Sequence, residues 1–226
     1  MDATLIANEA IDSRLKDDFF GLLLKLDIEK AFDHVNWDCL LSVMSKMGFG
    51  QRWINWVRWC ISTTNFSVLI NGTPLGFFRD IKGLRQGDPL SPYLFILVME
   101  ALSQLLFRAR SGGFIEGFKV GSNSGVGRDL LHLLFADYTL LFCKANSEQL
   151  RYLSWVFLWF EAISGLKVNR DKSEAILVGS IDSLENSVSV MGCRVGKLPT
   201  YLGLPLGVPF KSSRVWDVVE ERFRKR

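Results

Sequence analysis

The sequence predicts an α+β fold, a mainly antiparallel sheet packed by helices. Three observations carry this. Helical and strand periodicities interleave along 226 residues, enough chain for one large domain or two small ones. Asn71-Gly72 stands between two alternating runs in "FSVLINGTPLGFFRDI", a strong hairpin signal. A second pair of apolar runs, in "LLFADYTLLF" (Leu133 to Phe142), flanks a short polar turn.

Each element has a local reason. Residues 22–28, "LLLKLDI", form a short apolar run that reads as a buried strand ending near Asp27. Asn36 can cap the helix "WDCLLSVMSKM", which Gly48 stops. The next helix covers about 51–61, with Trp53, Trp56, Val57 and Cys60 on one face. "GLRQGDPLSP" is a loop, and Ser91 and Pro92 supply an N-cap and first-turn proline for a helix that runs to about Arg110. Residues 111–129, rich in Gly, Ser and Asn, read as a loop or loose hairpin. Ser147 caps a long helix that Gly165 ends after Ser164. A strand "EAILVG", the segment "PTYLGLPLGVP" and a basic amphipathic tail "SSRVWDVVEERFRKR" complete the chain.

Composition narrows the class. The chain is 48% hydrophobic and so can bury a sizeable core. Its 27 basic and 24 acidic residues leave a net charge of +3, which permits a polyanionic partner without arguing for one. No apolar run reaches the ~18 residues of a membrane span. The richest, "YLFILVMEALSQLL", is broken by Glu100 and Gln104, and no membrane association is expected. The N-terminal segment is acidic and lacks the basic start of a secretory signal. Cys39, Cys60, Cys143 and Cys193 lie far apart, and His34 and His132 are too few to complete a zinc site with them. Reduced thiols in an intracellular protein, nuclear or cytoplasmic, are expected, most of them small core residues.

Two carboxylates raise a chemical question. Asp27 ends a buried strand and Asp137 sits in a hairpin turn, and neighbouring strands can bring such ends together. Paired carboxylates repel unless a cation neutralises them. Mg²⁺ does so with one or two carboxylates plus substrate phosphates. Two such ions ~4 Å apart stabilise the attacking and leaving oxygens of a phosphoryl transfer. Taken singly, each aspartate has a plainer reading, as turn chemistry or a solvated strand end.

The company these residues keep decides between the readings. "KLDIEKAFDHVNW", "GLRQGDPLSPYLF", "LLFADYTLLF", "GLKVNRDKSE" and "YLGLPLG" follow one another in this order. Together they closely resemble the successive palm motifs of reverse transcriptases, most nearly the LINE-type, non-LTR retrotransposon enzymes of plants. The resemblance runs from "LIANEAID" to "YLGLPLG". It implies a palm domain with partial fingers over residues 1–207, then a basic tail over 208–226 that begins a thumb or connection. Fingers and thumb would be largely missing, with the rest of a retroelement polyprotein.

The resemblance also implies roles. Asp27 and Asp137 would bind Mg²⁺, or Mn²⁺ in its place, and act in catalysis. Phe32 matches the aromatic gate that excludes a ribose 2′-OH, although its residue type alone suggests core packing. Gln86 and Gly87 match the loop that supports nucleotide and template, although Gly-Asp-Pro is also an ordinary turn. Lys172 matches a lysine that can protonate departing pyrophosphate, although it also reads as a surface lysine. Leu202 and Gly203, in "YLGLPLG", match the turn that grips the primer. RNA template, DNA primer and deoxynucleoside triphosphates are the implied partners. The aromatic helices, with Trp53, Trp56, Trp59, Trp155 and Trp159, have the helical spacing of core rather than of a base-stacking surface.

Two departures from the family pattern bear on activity. The hairpin motif of the family reads F-A-D-D, and here Tyr138 stands at its second aspartate. A phenol is a poor ligand for a hard cation near neutral pH. Only 26 residues precede Asp27, where the family carries basic fingers residues that hold the triphosphate. The expectation is an RNA-directed DNA polymerase domain with impaired or lost activity. The alternatives are a catalytically dead nucleic-acid-binding module and a non-functional retroelement remnant.

Overall fold

The computed structural model describes residues 2–16, 20–120, 128–135, 138–179, 191–196, 200–201, 204–207, 220–221 and 224. The chain divides into two compact units. Met1–Asp27, Leu106–Trp155 and Asn169–Arg226 form the first, and Ile28–Leu105 with Val156–Val168 form the second.

The first unit is organised around β1 (Gly21–Glu29), whose last two residues belong to the second unit. Leu22, Leu23, Leu24 and Leu26 are all buried, so both faces of the strand are covered, as an unbroken apolar run requires. β7 (Tyr138–Cys143) and β9 (Glu174–Val178) pair antiparallel on its two sides. β6 (His132–Phe135) lies outside β7, and β10 (Arg194–Gly196) pairs parallel outside β9. The sheet order is β10-β9-β1-β7-β6, antiparallel except at the β10 edge. Phe135 pairs with Tyr138, which closes the expected second hairpin.

One face of this sheet carries the core. Leu23, Leu140, Phe142, Ile176 and Val178 pack with Phe118 and with Ala7, Ala10 and Ile11 of α1 (Asp2–Lys16). The sequence reading did not assign α1, because three of the four hydrophobic residues it packs on this core, Ala3, Ala7 and Ala10, are alanines, a weak periodic signal. Their small size lets the helix lie close to the sheet. Phe118 and Phe142 meet edge-on with centroids 5.3 Å apart. Arg14 closes this end, its guanidinium 4.8 Å from the Phe118 ring centre and donating to the Phe20 carbonyl at 3.0 Å. β4 (Phe118–Val120) pairs with β5 (Arg128–Leu130), so the loose hairpin expected within 111–129 exists at its base.

The second unit holds α2 (Trp37–Lys46), α3 (Gln51–Ser62) and the hairpin of β2 (Asn65–Ile70) and β3 (Thr73–Arg79). Asn36 caps α2 as expected, its Oδ1 accepting from Asp38 N–H at 2.8 Å and Cys39 N–H at 3.2 Å. Asn71 (φ 51°) and Gly72 (φ 82°) are both left-handed, the backbone that a two-residue hairpin of this twist demands. β8 (Lys167–Val168) pairs with Ile28 and Glu29. α4 (Ser91–Ser111) and α5 (Ser147–Ser164) each contribute residues to both units.

Several expectations are corrected. The tryptophans are not core. Trp59 and Trp159 are both 67% exposed, and Trp53, Trp56 and Trp155 are exposed too. In α3 the inward stripe is Ile54 and Val57, one residue out of phase with the tryptophans, and compact aliphatics fill it. Trp53 and Trp56 meet edge-on at 5.3 Å instead, and the Arg52 guanidinium lies 4.7 Å from the Trp56 ring centre. In α5 the stripe is Leu150, Leu153, Phe157 and Phe160, which leaves Trp155 and Trp159 outside. The N-caps shift by one residue. Asn146 rather than Ser147 caps α5, its Oδ1 accepting from Glu148 N–H at 2.8 Å. α4 starts at Ser91 itself, with the Leu90 carbonyl accepting from Leu94 N–H. Against the reading of the raw run, α4 is long and apolar enough to cross a membrane by length and composition. Leu94, Phe95, Val98, Met99, Leu102 and Leu106 are buried within the protein, the stripe of a core helix. All four cysteines are free, but only Cys143 is fully buried and Cys60 is exposed.

Candidate active site

Strand alternation puts Leu23, Lys25 and Asp27 on one face of the sheet. Opposite them on β7 stand Phe142, Leu140 and Tyr138, and Ile176 and Glu174 flank Leu23 and Lys25 on β9. The Leu23 end of this face is sealed by α1. Toward the other end Lys25 and Asp27 are half-buried and Tyr138 is exposed. The face therefore opens where its side chains become polar. Asp27 and Tyr138 are direct cross-strand partners. The Lys25 Nζ lies 3.9 Å from Glu174 Oε2 and 6.0 Å from the Tyr138 ring centre. Asp137, Leu202 and Gly203 lie outside the described residues.

Asp27 is held through its backbone. Pairing of β1 with β9 ends at Lys25 and Glu174, two residues short of it. Beyond that point the Asp27 N–H donates to Ser173 Oγ at 3.1 Å, and its carbonyl accepts from Asn169 N–H at 2.8 Å. Ser173 is fully buried, and its hydroxyl donates to the Asn169 carbonyl at 2.7 Å. Lys172 stands on the same loop with its side chain exposed, and its N–H reaches Asn169 Oδ1 at 3.2 Å. The structure thus ties the Lys172 loop to Asp27. Sequence reasoning missed Ser173 and Asn169. "NRDKS" is legible as a turn whose side chains bond locally, but no local rule joins Ser173 to a residue 146 positions away.

In the second unit Phe32 is half-buried against Phe95, with centroids 5.2 Å apart. Its carbonyl accepts from Leu84 N–H at 2.7 Å, and the Val35 carbonyl accepts from Gly83 N–H at 2.7 Å. Trp37 Nε1 donates to the Gly83 carbonyl at 2.7 Å. These bonds bring the "GLRQGD" loop to the turn that carries Phe32. Gly83 has φ +90°, and a Cβ there would stand 2.6 Å from the Asp33 carbonyl oxygen, so only glycine fits. Gln86 and Gly87 are exposed further along the loop, Gly87 with φ +88°.

A divalent cation is implied by the resemblance, and the donors at the open face can be tested against it. Among the described residues, no three of His, Cys, Asp and Glu cluster as a ready-made metal cage. The Asp27 carboxylate is a hard oxygen donor at the open end of the sheet. That fits one hard cation drawing its other ligands from phosphate and water, the usual habit of Mg²⁺. Tyr138 adds a ring opposite Asp27 where a second carboxylate would complete a richer site.

An antiparallel sheet with a carboxylate beside a tight hairpin at its open end defines a polymerase-type palm. Solved telomerases share the fold. Telomerase from Candida tropicalis, in complex with the TWJ fragment of telomeric RNA, superposes with a TM-score of 0.59 at 12% identity, over 96% of this chain and 37% of that one. Telomerase from Candida albicans gives 0.58 at 15% identity, over 80% of this chain and 30% of that one. The family model for reverse transcriptase (RNA-dependent DNA polymerase) matches residues 16–206, and the chain belongs to that family.

Its relatives agree with the LINE-type resemblance. It is 31% identical over 153 residues to the Pol polyprotein of the R2DM retrotransposable element of Drosophila melanogaster, covering 66% of this chain and 13% of the polyprotein. It is 31% identical over 122 residues to the R2 polyprotein of Nasonia vitripennis, covering 54% of this chain and 11% of that protein. An uncharacterized mitochondrial protein of Arabidopsis thaliana is 43% identical over 115 residues, which are 50% of this chain and 89% of that protein. The chain therefore spans only a small part of the retrotransposon polyproteins it matches.

Proposed function

We propose that this reverse transcriptase domain descends from one that added deoxynucleotides to a DNA 3′ end on an RNA template, and that its own activity is impaired or lost. The observation that carries the reading is the pairing of Asp27 with Tyr138 across β1 and β7. In the working arrangement, Asp27 and Asp137 would hold Mg²⁺ or Mn²⁺. Bound cations of this kind neutralise charge on the attacking and leaving oxygens. Phe32 excludes a 2′-OH beneath the incoming sugar, and Gln86 and Gly87 support nucleotide and template. Lys172, on the loop tied to Asp27, donates a proton to departing pyrophosphate. Leu202 and Gly203 hold the primer. A phenol in place of the second hairpin carboxylate withdraws one hard ligand, and loss of one such electrostatic element costs on the order of 10²–10³ in rate.

Primer extension on an RNA template, with Mg²⁺ and then Mn²⁺, tests this. The expected result is that the native chain extends no better than an Asp27→Ala control, while Tyr138→Asp raises the rate. Extension by the native chain well above that control overturns the proposed loss. If Tyr138→Asp restores nothing, the defect lies outside the hairpin.

A second reading, a nucleic-acid-binding module without catalysis, has one observation of its own. Trp53, Trp56 and Trp59 are exposed on α3, beside Arg52 and Arg58 and with no acidic residue in the helix. Exposed aromatics with guanidinium groups suit stacking on unpaired bases. Binding of an RNA–DNA hybrid that weakens steeply with salt is expected of it, and no binding at low salt removes it.

A further inference from the structure

We infer that Ser173 is a positioning residue for Asp27, acting through a side-chain clasp that fills the gap between the β9 and β8 ladders along β1. The inference rests on the metal role proposed for Asp27. In an antiparallel ladder the N–H and C=O of one residue point to the same side, so each residue is bonded to one neighbouring strand and only faces the other. Both backbone groups of Asp27 point away from its cross-strand partner Tyr138, toward a side where the β9 ladder stops at Lys25 and the pairing with β8 begins at Ile28. A residue left in the gap between two successive partner strands can twist and shift its carboxylate relative to the hairpin.

Ser173 and Asn169 bridge the gap between β9 and β8. The Ser173 Oγ accepts the Asp27 N–H at 3.1 Å, and Asn169 N–H serves the Asp27 carbonyl at 2.8 Å. Ser173 is itself fixed twice to one acceptor. Its hydroxyl and its N–H both donate to the Asn169 carbonyl, at 2.7 and 2.9 Å. With its hydroxyl proton directed to Asn169, the Ser173 oxygen presents its lone pairs to Asp27, so the polarity of the clasp is set. Because Ser173 is fully buried, water cannot easily replace it. The same loop carries Lys172, so one device sets the backbone position of both residues. Outer-shell partners of this kind tune a ligand without touching the ion, and their loss costs on the order of tenfold or more in metal affinity.

The test uses the full chain and two readouts that need no catalytic turnover. Amide hydrogen exchange follows the clasp, and the amount of free Mn²⁺ seen by electron paramagnetic resonance follows the site. Ser173→Ala is expected to speed exchange of the Asp27 amide about tenfold relative to Leu23 and Leu24, and to weaken Mn²⁺ binding on the order of tenfold. Ser173→Thr, which keeps the hydroxyl, is expected to restore both. An Asp27 amide that exchanges in Ser173→Ala as in the native chain overturns the clasp. Mn²⁺ binding that is unchanged in Ser173→Ala but lost in Asp27→Ala leaves the metal site standing and overturns the positioning role. Mn²⁺ binding unchanged in Asp27→Ala instead overturns the metal role of Asp27, and the positioning role with it, whatever the amide exchange shows. Should Ser173→Ala fail to fold, the Thr variant decides alone, because an Asp27 amide that is unprotected with the hydroxyl present refutes the clasp.

Discussion

Cys143 shows how a single position reports its surroundings. Its Sγ lies 3.8 Å from the Leu22 carbonyl inside the sheet, and burial pushes its thiol up from the ordinary 9.0 to about 12, opposed weakly by the Arg14 charge. Burial pushes Cys39 and Cys193 upward as well. The unfolded thiol loses its proton above its ordinary value while the folded Cys143 keeps it until about 12. Stability is therefore full below pH ~9 and falls as pH rises toward ~12, because the unfolded state binds fewer protons there. Urea unfolding across that window should show the fall, and Cys143→Ala should make it shallower. Alkylation should reach exposed Cys60 long before Cys143. Gly83 makes a second point at this scale. Its left-handed backbone beneath the Asp33 carbonyl predicts that Gly83→Ala costs well over 1 kcal/mol, and that loss should appear as a lowered urea midpoint.

At the scale of elements, caps and turns were legible where the deciding bonds are local. Asn36 bonds to N–H groups two and three residues away, and the Asn71-Gly72 turn needs only its own backbone angles. Asn36→Ala should destabilise the protein by about 1 kcal/mol, measured by thermal or urea unfolding. The one-residue shift at Asn146 arises because Ser147 has an equally polar neighbour and local chemistry does not rank the two, whereas at Leu90 only the backbone carbonyl caps and no side-chain rule points to it. Helix faces were harder. Period alone matches Trp53 and Trp56 as well as it matches Ile54 and Val57, and only the packing partner chooses between the two stripes. α1 escaped notice for the opposite reason, since all but Ile11 of its hydrophobic contact residues are alanines, too small to stand out.

For the whole molecule, stability should follow the core of the first unit rather than the distribution of aromatic residues. Phe142 is fully buried against Phe118 and α1, and Phe142→Ala should cost about 3–5 kcal/mol. Trp159 is larger but 67% exposed, and Trp159→Ala should change stability by no more than about 0.5 kcal/mol. Comparing the two variants by urea unfolding tests the assignment of core and surface directly. The two-unit division makes a related point. β1, α4 and α5 each pass from one unit to the other, so neither unit is a continuous stretch of sequence, and no composition shift along the chain marks the boundary.

The sequence by itself determined the fold class, the strand that ends near Asp27, both principal hairpins and the reverse transcriptase family, because each rests on local periodicity, turn chemistry or motifs in fixed order. The motif resemblance also carried the expectation that Tyr138 stands where the family has an aspartate. Tertiary structure decided what local patterns leave open. It chose the aliphatic stripe over the tryptophans, set Tyr138 directly opposite Asp27, and brought Ser173 and Asn169 from far along the chain to hold that aspartate. Each of these depends on which surfaces meet once distant strands have paired, and pairing across more than a hundred residues is written in packing rather than in any short stretch of chain.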